Sequence, residues 1–327
     1  MNTSSDIKIE KPKIIDALIS GFNTVASKPY LILLPIIVDL ILWFGPTWRV
    51  DEYFKPLLQS LSNLPGLDTP EYIELMQENQ ILWQDLFKNF NLAITLRTLP
   101  IGVPSLMVAK APILNPLGTP MTINLETGLQ VFGVWLIFLI LGFFLGSVYF
   151  QNISMQVIDD NKDKRFSNLI YSFLQIIIMP ILLVIILVLL SIPSMFIITL
   201  LSIVSPGMGD FALLVAGGVI LWIIMPLIFT PHGIFLFKQN LIAAMMTSIS
   251  VVRISMGRTA WFIILSFVLI QGLDYLWQIP NVDNWLLIVG IFGHAFIVTA
   301  IIAASFHYFI DATKFTQTVM NNRLKST

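Results

Sequence analysis

The chain contains no cysteine. Disulfides, thiolate nucleophiles and every cysteine-ligated metal site are excluded together. Charge is scarce: 11% of residues are Asp, Glu, Lys or Arg, against about 25% in an ordinary soluble domain. The two signs nearly cancel, with 18 Lys and Arg against 19 Asp and Glu, so there is no electrostatic footprint for nucleic acid. The motifs of soluble enzymes are missing as well. No Gly-Lys pair exists for a phosphate-binding loop, and neither H-E-x-x-H nor G-x-S-x-G occurs. Gly207-Met208-Gly209-Asp210-Phe211-Ala212 matches a dinucleotide fingerprint by letter. It lies at a turn between two apolar runs with no strand before it, so that reading is set aside. Histidine is rare too, limited to His232, His294 and His307. His232 and His307 fall near the cytoplasmic ends of their runs and read as interfacial residues. No cofactor, no metal and no enzymatic activity are expected.

What is abundant is apolar. Hydrophobic residues make up 56% of the chain and the mean hydropathy is +0.84. Disorder is excluded, and a polytopic membrane protein is indicated. Six runs are long enough to matter: Tyr30 to Pro46, Gly128 to Phe150, Leu169 to Val204, Phe211 to Phe237, Ala260 to Trp277 and Trp285 to Phe309. A helix needs about 20 residues to cross the hydrocarbon core. The first run is slightly short and is expected to be extended by its flanks. The third is too long for one span and too short for two. Ser191-Ile192-Pro193-Ser194 is its expected break, because an interior proline removes a donor and clashes with the turn before it. The spacing predicts a span to about Leu190, then a bent or interfacial piece to Val204.

The basic residues orient the bundle. Lys8, Lys11, Lys13 and Lys28 precede the first span. Lys162, Lys164 and Arg165 join the second to the third, Lys238, Arg253 and Arg258 the fourth to the fifth, and Lys314, Arg323 and Lys325 lie in the tail. The short loops 205–210 and 281–284 carry none. The positive-inside rule then puts both termini in the cytoplasm of a cell-membrane protein. The expected organisation is a cytoplasmic amphipathic leader over 1–29, a first span over 30–46 acting as an uncleaved anchor, an extracytoplasmic loop over 47–127, five further spans over 128–309 and a cytoplasmic tail over 310–327.

Two parts of the large loop differ in pattern. From Glu71 to Phe90, apolar Tyr72, Leu75, Met76, Trp83, Leu86, Phe87 and Phe90 recur at helical spacings. The helix they predict either offers a docking surface or lies on the membrane or bundle, burying Leu75, Trp83 and Phe87. Leu99 to Ile123 carries Pro100, Pro104, Pro112, Pro116 and Pro120. A regular helix is forbidden there, and an extended loop packed on protein or lipid is expected.

Each pair of spans follows one plan, in which a short amphipathic stretch leads into a helical hairpin. Ile15, Leu18, Phe22, Val25 and Ala26 would form the apolar face of the first leader. Leu241, Met245, Ile249, Val252 and Met256 would form that of the leader before the fifth span. Asp39-Leu40-Ile41-Leu42-Trp43 even aligns with Asp274-Tyr275-Leu276-Trp277 after a one-residue slip. The segment Gly21 to Trp43 (GFNTVASKPYLILLPIIVDLILW) and the Ala/Ser-rich stretch Leu241 to Ile270, with its Gly-Arg-Thr-Ala-Trp, resemble bacterial multi-pass membrane proteins of uncharacterised role. More distantly they resemble the membrane domain found beside bacterial glycerophosphodiester phosphodiesterases. The hydrolase domain of that family is absent here, so the resemblance implies no catalytic residue.

Two sets of residues stand out inside the spans. Gly142 and Gly146 form a G-x-x-x-G pair, and Gly290, Gly293, Ala300 and Ala304 form a stripe on the last span. Such residues let backbones approach, either within the bundle or between two copies of the chain. Asp39, Asp274 and His294 are ionisable groups at membrane depth, where a charge is costly. Counted from the outer span ends at 1.5 Å per residue, all three lie roughly 9 to 14 Å deep. At least one of the aspartates is expected to hydrogen-bond His294 or another polar group across a helix interface, unless both separately reach water or cap backbone.

The sequence therefore predicts an all-α integral membrane bundle of six transmembrane helices with interfacial amphipathic helices and one large outer loop. The first expected role is a non-catalytic interaction or scaffold protein, partnered by the lipid bilayer and by other membrane proteins or itself. The alternative is a small-solute or lipid transporter using the level of Asp39, Asp274 and His294. An intramembrane enzyme is the third possibility.

Overall fold

The computed structural model describes residues 11–62, 82–83, 86–87, 90–109, 114–158 and 165–326. Its helices are α1 (Ile14–Ser27), α2 (Leu33–Phe44), α3 (Asp51–Ser62), α4 (Gly128–Ile158), α5 (Arg165–Val204), α6 (Pro206–Ile224), α7 (Thr230–Phe237), α8 (Leu241–Ile254), α9 (Met256–Trp277) and α10 (Leu287–Ser326). Two short strands, β1 (Thr47–Arg49) and β2 (Thr122–Asn124), flank the large loop. Five helical segments are long and apolar enough to cross a membrane, and a sixth is counted if the bent pair at the N-terminus is one span. Helix is the economical choice for such runs, since it satisfies every backbone group where no water can.

Helix α10 sits at the centre. Its apolar window is 61% buried, against 11 to 22% for the other four long segments. It touches α1, α2, α4, α7, α8 and α9. Small side chains permit this: Ala295, Ala300, Ala303, Ala304 and Ala312 are fully buried. At Gly21 of α1, an added Cβ would lie 2.3 Å from the Ala300 carbonyl oxygen and 2.5 Å from the Ala304 nitrogen. Phe22 meets Phe296 beside that crossing, with ring centroids 6.0 Å apart. The leader helix thus lies on α10, not loosely along the interface. Its buried face is Ala17, Leu18, Gly21 and Val25. Ile15 and Ala26, on the apolar face read from the sequence, are exposed, Ile15 by 65%. Size decided the face: with lipid outside, a large apolar residue gains nothing by turning in, while a small one admits a backbone.

The chain turns by 93° between α1 and the segment Pro29–Phe44. Lys28 closes α1 by donating its backbone N–H to Thr24 and Val25. Pro29 then opens a 3-10 turn, Pro29–Ile32, that runs into α2. The residue before a proline is held away from helical geometry, so the first crossing segment is not extended straight by its N-terminal flank.

The third apolar run does not break at Ser191–Ser194. α5 continues through Pro180 and Pro193 to Val204. Ser194 Oγ donates to the Leu190 carbonyl at 2.8 Å, and Ser191 Oγ to that of Val188 at 3.1 Å. Pro193 removes one bond of the ladder, and no water competes for the remaining ones. The turn at Ser205-Pro206 reverses the chain into α6. There Gly209 sits against Ser202 with no room for a Cβ.

The break comes in the next segment. α6 passes through a 3-10 turn, Met225–Leu227, into α7. Pro226 and Pro231 disturb the helical ladder here, and Ser248 of α8 repairs it. Its hydroxyl donates to the Pro226 carbonyl at 2.6 Å and accepts the Phe229 N–H at 3.1 Å. The inward face of α8 is therefore Leu241, Ala244, Ser248, Val251 and Val252. Met245 is only partly buried, and Met256 is 48% exposed.

β1 and β2 pair in parallel, Thr47 with Thr122 and Arg49 with Asn124, which closes the neck of the large loop. Strands of three residues carry no periodicity, so none was expected. Val50, Leu92 and Leu125 form a small second core beside the neck, with Phe54 and Phe87 packed on it. Phe54 and Phe87 stack with centroids 4.3 Å apart. Trp83 lies against Phe87 but is 48% exposed, so of the two expected residues that are described, Phe87 packs on this core. Leu75 and most of the amphipathic pattern lie outside the described residues.

A Gly21→Ala substitution tests the α1–α10 crossing. Helix propensity alone favours alanine by about 1 kcal/mol, yet the crowded site should reverse the sign and cost about 1–3 kcal/mol. Thermal unfolding in detergent should show a lowered Tm for Gly21→Ala and none for Gly217→Ala, whose added Cβ meets nothing within 4 Å. A raised Tm for Gly21→Ala would mean that α1 does not pack on α10.

Candidate functional site

Asp39 of α2 is fully buried, and its carboxylate is occupied by the large loop. Ser105 Oγ donates to Oδ1 at 2.5 Å, the Met107 N–H to Oδ1 at 3.0 Å and the Leu106 N–H to Oδ2 at 3.1 Å. The loop reaches it by entering the bundle. Ile101, Val103, Leu106 and Met107 are each 2% exposed or less. The glycine pair of α4 makes the passage: a Cβ on Gly142 would lie 2.4 Å from the Leu96 carbonyl oxygen, and one on Gly146 3.3 Å from that of Ile101. Gly142 and Gly146 thus admit loop backbone, not a second helix, on the face where they stand.

Further polar side chains hold the same plug. Asn91 Oδ1 accepts the Trp48 and Ala93 N–H groups at 3.0 and 3.1 Å. Asn115 Nδ2 donates to the Trp43 carbonyl at 3.1 Å, and Trp43 Nε1 to that of Val282 at 2.7 Å. These side chains satisfy backbone groups of Trp43, Trp48, Ala93 and Val282, where the chain lacks a regular ladder partner or leaves a helix end.

The other two candidates meet each other. His294 Nδ1 of α10 lies 2.6 Å from Asp274 Oδ1 of α9, with side chains 6% and 16% exposed. Nε2 is buried without a hydrogen-bond partner, as is the indole nitrogen of Trp277, one turn after Asp274. Gly290 and Gly293 let the two helices close: an added Cβ would lie 2.3 Å from the Trp277 carbonyl oxygen at Gly290 and 2.7 Å from the Trp277 indole at Gly293. Asp39 does not join this pair by a hydrogen bond. Its bonds go to the loop, although His294 remains within electrostatic range. One level of three groups is therefore two separate devices, a carboxylate that seats a loop and an acid–imidazole pair that can share one proton.

His232 packs inside the bundle. It is buried, 7% exposed, with its ring 4.5 Å from that of Phe306 and Nε2 2.7 Å from Ser305 Oγ. His307 lies half-buried, Nε2 3.0 Å from Thr24 Oγ1 on α1. Ser105, Ser248 and the buried Tyr149–Thr299 pair (2.7 Å) escaped sequence reasoning, since single hydroxyls in apolar runs carry no spacing signal. Among the described residues no group of three His, Asp or Glu side chains could hold a metal ion.

Asp39→Ala should leave the Leu106 and Met107 N–H groups unpaired, at about 1–3 kcal/mol for each. Because the chain has no cysteine, a single Val103→Cys reports the plug directly. Maleimide labelling of this buried position should be slow alone and fast when combined with Asp39→Ala. Equal rates would show that the carboxylate does not seat the loop. Comparison of the chain with protein-family models, with curated proteins and with solved structures finds no match.

Proposed function

We propose that this is a non-catalytic, six-span cell-membrane protein that holds partner membrane proteins through its α5–α6 hairpin. Both termini lie in the cytoplasm, and residues 47–127 lie outside. One observation carries the reading: the apolar windows of the two hairpin segments are each only 11% buried. α6 packs chiefly on α5 and buries Gly209 alone, so most of two span-length helices faces outward. Lipid gives apolar helices no reason to associate beyond packing and small-residue contact. Gly217 and Gly218 on α6 would let another helix approach, since an added Cβ at either meets nothing within 4 Å. The polar groups inside the bundle support the same role, because Asp39, Tyr149 and Ser248 are engaged with the chain itself. The resemblance to membrane domains that accompany a separate hydrolase fits an accessory part.

A transporter reading is favoured by one feature, the Asp274–His294 pair, since ionisable groups in spans mark solute or proton paths by default. The seating of Asp39 by the loop removes its third member.

Orientation is tested with single cysteines in intact cells. Asp283→Cys, between α9 and α10, should react with a membrane-impermeant maleimide, and Gln317→Cys, near the end of α10, should react only after permeabilisation. The reverse pattern inverts the topology. The role is tested with a photo-crosslinking residue at Leu214, which is 73% exposed on α6. A discrete protein adduct of constant mass in native membranes is expected. Lipid adducts alone, together with proton-coupled solute uptake that His294→Ala abolishes, would replace the scaffold reading by the transporter.

A further inference from the structure

A groove of about 550 Å³ opens between the start of α1 and the start of α9. Its α9 wall is graded. Arg258, Trp261 and Leu265 line it, and their spacing of three and four residues puts them on one helix face. Arg258 stands two residues into a span-length helix, at the level of lipid headgroups. Trp261 is one turn deeper, at the depth favoured by amphipathic indoles. Leu265 is a further turn in, so the three cover roughly 10 Å. On the α1 wall, Ile14 and Ile15 are apolar. Ile15 and Trp261, 65% and 66% exposed, offer unpartnered apolar surface to the groove.

The polar end of the groove is cationic. Arg258 Nη1 donates to the Pro12 carbonyl at 2.6 Å, which holds the guanidinium across the two helices. A guanidinium has five N–H donors in a planar fork suited to phosphate, and this contact uses one. Lys13 and Asp16 also border the groove and pair at 3.7 Å, so their charges largely offset and Arg258 sets the sign. The first turn of α1 has no side-chain cap, and its backbone N–H groups add positive potential at the same end.

We infer that this groove binds an anionic phospholipid, with the phosphodiester on Arg258 and one acyl chain along Ile14, Ile15 and Leu265. The order of charge, indole and aliphatic side chain along α9 follows the order of headgroup, interface and acyl chain in a lipid. A soluble phosphate would use the charged end alone and leave the apolar walls uncovered. The site depends on α9 entering the bilayer at Met256, not on the leaflet or on the hairpin's partner.

Native mass spectrometry of the full chain released from detergent, titrated with phosphatidylglycerol, phosphatidylcholine or soluble glycerol 3-phosphate, tests this. Phosphatidylglycerol should be retained in preference to phosphatidylcholine, and glycerol 3-phosphate should not bind. Arg258→Gln should weaken phosphatidylglycerol binding by about tenfold or more, the loss expected for one charge-assisted contact. Arg253→Gln, an exposed cation on α8 away from the groove, should change nothing. Leu265→Trp keeps Arg258 and its bond to Pro12 but fills the acyl channel. It should lose lipid at an unchanged Tm, which separates a blocked site from a misfolded one. Equal retention of the two lipids, or undiminished binding by both Arg258→Gln and Leu265→Trp, overturns the site. Tight binding of glycerol 3-phosphate would make it a site for soluble phosphate instead.

Discussion

A helix surrounded by lipid gains nothing by hiding apolar side chains from its solvent, so close backbone approach has to hold this bundle together. α10 is where that constraint is met. Gly290 and Gly293 receive Trp277 from α9, and Ala300 and Ala304 receive Gly21 from α1. Two different helices thus use two levels of a single small-residue stripe. The 93° turn after α1 follows from the same grip: α1 is laid across α10, and Pro29 redirects the chain into α2. A larger residue at Gly290 or Gly293 would separate the helices that position Asp274 against His294.

Where backbone leaves the helical ladder inside the bundle, a side chain of another segment replaces the lost bonds. Asp39 does so for Leu106 and Met107, and Ser248 does so at the break between α6 and α7. Both are small polar groups fixed on helices and aimed at irregular backbone. Irregular structure at membrane depth is tolerated only where protein or water satisfies it. The loop plug also explains why α4 carries its glycine pair, since Gly142 and Gly146 face loop backbone that a Cβ would displace.

The molecule is uneven in its packing. The side around α10 is dense and cross-linked by polar contacts, while the α5–α6 hairpin extends from its edge with little of the chain around it. In water such a surface would collapse or aggregate. In a bilayer it is stable, and it leaves one flank open to lipid or to another helix. The groove between α1 and α9 is a second opening, with a different chemistry because Arg258 lies at its mouth.

Composition and run length by themselves determined the membrane class, the helical fold and the long apolar segments, because the bilayer leaves one economical backbone structure for such runs. The turn between the third and fourth apolar runs, at Ser205-Pro206, was legible for a local reason, a missing donor. Pro193 read as a break and was not: α5 runs through it, because one lost ladder bond does not end a helix whose other bonds no water competes for. The apolar faces of α1 and α8 were legible as patterns, while which side of each helix packs on the chain followed from small size and a hydroxyl. Only the tertiary structure decided what each buried polar group meets. Asp39 and Asp274 are alike in residue type, depth and following sequence, yet one seats a loop and the other pairs with a histidine. That difference lies in which distant backbone fills the space beside each carboxylate, and no spacing along the chain encodes it.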